Sequence, residues 1–62
     1  MKDIEYKVVE LSQVTDESIQ NTLNIWVKEG WILENIHFAM RDSSKRPSMA
    51  FVLFTKEKDI ED

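Results

Sequence analysis

Apolar and polar positions are interleaved along most of this chain, but the run Met49, Ala50, Phe51, Val52, Leu53, Phe54 is apolar at every position. Successive side chains of a strand point to opposite faces, so an unbroken apolar run predicts a strand that needs cover on both sides. The residues Glu5 to Leu11, EYKVVEL, are rich in Val, Tyr and Leu and lack Gly and Pro, which predicts an earlier strand. Ile4, Tyr6 and Val8 share one face there, while Val9 and Leu11 fall on the other. That pattern fits either a bulge or cover on both sides near the strand's end.

A helical period follows. Thr15 or Asp16 is the expected start, because either side chain can accept from the orphan amides of a first turn. Ile19, Leu23, Trp26, Val27 and Gly30 then recur at helical spacing as one stripe. Gly30 suits the left-handed residue that closes a helix and turns Trp31 back toward the body. Trp31 to Arg41 is the second strand, with Trp31, Leu33, Asn35, His37 and Ala39 on one phase and Ile32, Glu34, Ile36, Phe38 and Met40 on the other. Asp42 to Pro47 is a polar turn ended by a proline. The third strand runs from Ser48 to Lys56, and Glu57 to Asp62 has the character of a frayed, charged tail.

These elements predict a single α+β domain over residues 1–62, in the order β-α-β-β. Three mostly antiparallel strands lie in the order 1-3-2, the most apolar one in the centre, with one helix packed across one face. One helix covers only one side. If Phe51 and Leu53 meet it, then Ala50, Val52 and Phe54, with Ile36 and Phe38 as neighbours, form an uncovered apolar surface. The opposite assignment exposes Phe51 and Leu53, and the two phases are too similarly apolar to choose between.

Size sharpens the imbalance. A core drawn from 62 residues supplies a net stability of about 3–5 kcal/mol. Such domains lean on disulfides, metals or oligomerisation. With no cysteine and one histidine, oligomerisation is the device left. Charge narrows the partners: twelve acidic residues against eight basic give a net charge of −4, which repels nucleic acid and anionic membranes at long range. The first residues lack the cationic and apolar pattern of a signal segment, and no apolar run approaches the roughly 20 residues that span a bilayer. The expectation is a soluble, cytoplasmic protein.

The chemistry-bearing residues do not assemble into a catalytic set. His37 is the single imidazole, Glu34 lies on the opposite strand phase, and nothing marks Ser43 or Ser44 as a nucleophile. The carboxylates show no spaced calcium-loop pattern. No catalytic, cofactor or metal residues are therefore assigned, and the chain is read as a non-enzyme. Arg41, Lys45 and Arg46, interleaved with two serines, form a basic turn suited to a phosphate or an acidic partner. Phe51 and Phe54 invite comparison with base-stacking sheets, but the glycine-aromatic signature of sheet-based RNA readers is missing.

The opening EYKVVEL, the amphipathic helix, the Lys28-Glu29-Gly30-Trp31 corner with Leu33 beyond it, and the closing Phe51-Val52-Leu53-Phe54-Thr55-Lys56 strand resemble the small bacterial proteins of the domain of unknown function 4177 family. The resemblance spans nearly the whole chain. It implies a strand-helix-strand-strand fold and carries no activity, cofactor or catalytic residue with it. The functional expectation is a homo-oligomer, most simply a dimer, that self-associates through an apolar sheet surface formed by Ile36, Phe38, Ala50, Val52 and Phe54. The alternative is a small-ligand or nucleic-acid binding domain using that face and the Arg41 to Arg46 turn.

Overall fold

A computed structural model describes residues 2–40 and 47–59. The chain runs β1 (Lys2–Leu11), α1 (Asp16–Lys28), β2 (Ile32–Met40) and β3 (Pro47–Asp59). The sheet order is β1-β3-β2, with β3 antiparallel to both neighbours. This is the expected small α+β fold.

The helix is fixed at both ends by local chemistry. At its start, Thr15 Oγ1 accepts from the Ser18 amide at 3.1 Å and Ser18 Oγ accepts from the Thr15 amide at 3.2 Å. This reciprocal capping box satisfies two donors that a first turn leaves orphaned. Asp16 and Glu17 sit at the positive end of the helix dipole. At the other end, the Gly30 amide donates to Val27 O at 3.1 Å and the Trp31 amide to Trp26 O at 3.1 Å. That pair of bonds is a Schellman motif, whose C′ residue needs a left-handed backbone. Gly30 supplies it with φ 94°.

A Cβ at Gly30 would lie 3.4 Å from Lys56 Cε, near the tight end of ordinary contact with a flexible chain, so the backbone dominates the cost of adding one. Gly30→Ala should destabilise the protein by about 1–2 kcal/mol, read as a lower urea midpoint at unchanged slope. A midpoint equal to wild type would show that the corner relaxes into another closure.

Burial decides which strand phase the helix covers. Ala50, Val52 and Phe54 are 0% exposed. They are the core, so the assignment that put them on an uncovered surface is corrected. Their cross-strand partners are Leu11, Val9 and Lys7 on β1 and Phe38, Ile36 and Leu33 on β2, which places Ile36 and Phe38 on the helix side as well. Ile36 is half-buried there, and Phe38, at the outer margin of β2, is 50% exposed. From the helix, Ser18, Ile19, Thr22, Leu23 and Trp26 are buried or half-buried. Val27 is exposed, because the stripe follows Thr22 and Trp26 instead.

Three details differ from the sequence expectation. β1 pairs with β3 without a break from Lys2 opposite Asp59 to Leu11 opposite Ala50, so it has no bulge. The bulge lies in β2, between Leu33 and Asn35, with a second irregularity between Ala39 and Met40. Glu57, Lys58 and Asp59 form the end of β3, opposite Ile4, Asp3 and Lys2, instead of fraying. The ladder with β1 supplies the hydrogen bonds that hold this charged stretch extended.

Candidate functional site

The first bulge explains why both phases of β2 carry large apolar groups. A bulge inserts one residue into the ladder, so the side-chain alternation restarts beyond it with its sign changed. Leu33, before the bulge, shares a face with Ile36 and Phe38 after it, while Ile32 shares the other with Asn35, His37 and Ala39. Two apolar sets that looked mixed in sequence become one helix-side set and one outer set.

The outer face can therefore be written as rows across the sheet. Ile4 stands beside Glu57. Tyr6, Thr55 and Ile32 form the next row, followed by Val8, Leu53 and Asn35, then Glu10, Phe51 and His37, and finally Met49 with Ala39. None of these rows meets α1. Tyr6 is 65% exposed, Val8 62% and Ile32 62%, with Leu53 and Phe51 half-buried between them. Isolated exposed aliphatic residues are normal, but a contiguous apolar surface of this kind marks a contact site.

The molecule's dimensions agree with an unfinished layer. Its accessible surface is 5181 Å² for 7.3 kDa, whereas a compact monomer of that mass exposes about 4,200 Å². Its radius of gyration is 14.2 Å against about 11 Å for a compact chain of this length. β3 has 13 residues and so does α1. At about 3.3 Å per strand residue and 1.5 Å per helical residue, the helix spans about half the length of the central strand.

At one end of the helix side the two tryptophans are held by cations. Lys7 Nζ sits 4.0 Å from the Trp26 ring centroid and 5.7 Å from that of Trp31, and Lys56 Nζ lies 5.2 Å from Trp31. Lys56 Nζ also donates to Glu29 O at 2.9 Å, placing a positive charge at the negative end of the helix dipole. These residues seal the helix corner. A shallow, open depression on the outer side of α1 is lined by Asn21, Asn24, Ile25, Lys28 and Glu29, all carried by one helix and its cap.

His37 stands on the outer face, where Asn35 Nδ2 approaches its Nε2 at 3.2 Å. Among the described residues, no group of three His, Asp or Glu side chains is placed to hold a metal, and no helix is long and apolar enough to cross a membrane. Arg41, Lys45 and Arg46 lie outside the described residues.

Comparison with known proteins returns no matching family model, no matching curated protein and no matching solved structure. The reading of this surface therefore rests on its own residues. The surface expected from the sequence, Ile36, Phe38, Ala50, Val52 and Phe54, lies on the opposite phase from this outer face, and Phe51 and Leu53 belonged to the other assignment. Ile4, Tyr6 and Val8 were visible as one phase of β1, yet their continuation through Leu53 and Phe51 to Ile32 depends on the bulge in β2.

Proposed function

We propose that this chain is a cytoplasmic, non-enzymatic interaction module that pairs with a second copy of itself through the open face of its sheet. The observation that carries the reading is the exposed apolar ladder of Tyr6, Val8, Leu53, Phe51 and Ile32. A second copy is the occupant that the size of the chain favours: with 62 residues and no cysteine, self-association is the device left to add to a small core. The rim suits the same arrangement, since Glu10, His37 and Asn35 border the apolar rows with polar groups that remain solvated. Kinship with the domain of unknown function 4177 proteins belongs to the same proposal and rests on the Glu29-Gly30-Trp31 corner.

Sedimentation equilibrium tests it. Wild type at tens of micromolar should have the mass of a dimer, and Ile32→Asp, which places a carboxylate in the apolar rows from a solvent-facing position, should shift the protein to monomer with its circular dichroism retained. A wild-type monomer under these conditions overturns the reading. If that monomer also binds an apolar dye, the face is a small-ligand surface instead.

A further inference from the structure

The two edges of the sheet are not alike. β2 carries two ladder irregularities, and bulges of this kind are one of the ways a sheet blunts an edge against pairing. β1 has none. It is extended from Lys2 to Leu11, contains neither Gly nor Pro, and keeps an unbroken register with β3. Among the described residues only β3 pairs with it, so its outer row of amides and carbonyls is a free template.

Charged side chains on an edge ordinarily protect it, and β1 carries Lys2, Asp3, Glu5, Lys7 and Glu10. Their spacing does something more selective. In a two-fold pair of antiparallel β1 strands the axis is perpendicular to the sheet and passes through one residue, which then faces its own copy. With Glu5 on the axis, two carboxylates oppose each other. With Lys7 on the axis, two ammonium groups do. With Tyr6 on the axis, Lys2 faces Glu10 and Glu5 faces Lys7, each twice by symmetry, while Ile4 faces Val8 and the two Tyr6 rings meet. Opposite-charge and apolar cross-strand pairs are stabilising, and like charges directly opposed are destabilising.

We propose that the free edge of β1 pairs antiparallel with β1 of a second copy, in the single register that puts Tyr6 on the two-fold axis. The overlap runs from Lys2 to Glu10 and joins two three-stranded sheets into one. Both helices then lie on the same side, and the two open faces become one continuous surface with Tyr6 at its centre. This contact goes beyond the face-to-face reading and stands without it, because it is made by main-chain groups and by residues on both sides of the sheet.

Cysteine trapping reads the register directly, since the natural chain has no cysteine. Opposed residues of an antiparallel pair have Cα atoms about 4.5–5.5 Å apart, within the roughly 4.4–6.8 Å that a disulfide bridges. Glu5 and Lys7 point to the helix side, where stacking of open faces cannot bring them together. An oxidised mixture of Glu5→Cys and Lys7→Cys chains should give a mixed covalent dimer, and neither variant alone should. The same result is expected in chains that also carry Leu53→Asp, because oxidation traps an edge contact that is too weak on its own to hold a dimer in sedimentation at tens of micromolar, which separates this contact from association through the open face. A mixture that does not cross-link, or single variants that link as readily as the mixture, overturns the register.

A charge exchange guards against a packing defect at Lys7. Lys2→Glu and Glu10→Lys should each weaken edge association about tenfold, and mixing the two should restore it, because every facing pair is then again of opposite charge. Loss without restoration counts against the proposal.

Discussion

Phe54→Ala is expected to leave the chain unfolded at 25 °C, with the circular dichroism of the helix and sheet lost and no cooperative urea transition. Phe54 is 0% exposed and is flanked across the sheet by Lys7 and Leu33. Truncating a buried Phe costs about 3–5 kcal/mol, through lost burial and through the cavity left behind. A single small core has about that much net stability in all. The core has little else to draw on, since Val52 is the only other large side chain that is fully buried among the described residues. Retention of a cooperative transition near the wild-type midpoint would mean that the helix repacks over the gap, and that the helix-sheet interface is softer than its burial implies.

Elements were legible in the sequence where local chemistry alone determines them. Thr15, one of the two starts expected, and Gly30 with Trp31 are start and stop signals that act within a few residues, and both are formed as hydrogen-bonded caps, the first completed by Ser18, which the sequence reading did not use. The order β1-β3-β2 also followed, because the most apolar strand belongs in the centre. The covered phase was not legible. Choosing it requires knowing that Leu33 and Ile36 share a face, and that depends on a bulge at Glu34 which no residue of β2 announces, since Glu34 and Asn35 are ordinary polar residues in a strand. The end of β3 was hidden for a related reason. Glu57, Lys58 and Asp59 have the composition of a solvated tail, and only the length of β1 opposite them keeps them in the sheet.

The same uncertainty gives the strongest test of the open face, because residues 53 and 54 are adjacent in the chain and opposite in consequence. Leu53 is half-buried in the centre of the outer rows, between Val8 and Asn35. Leu53→Thr keeps a side chain suited to a strand, so the cost to the isolated fold should stay within about 1 kcal/mol, whereas Phe54→Ala removes the fold itself. Association should respond more. Burying the half of a leucine that is still exposed is worth about 0.8–1.5 kcal/mol, and a two-fold interface contains every substitution twice. Dimerisation should therefore weaken by about 1.5–3 kcal/mol, a rise in Kd of about 10-fold to 100-fold, which takes a micromolar dimer largely to monomer at micromolar concentration. The expected pattern is a Leu53→Thr protein that sediments as a folded monomer and whose melting temperature no longer rises with concentration, as that of a dimer does by mass action. A Leu53→Thr protein that remains dimeric with an unchanged Kd would remove the open face as the site of self-association. If β1 trapping still succeeded in that protein, the edge alone would account for the dimer, and the apolar ladder would be free for a different ligand.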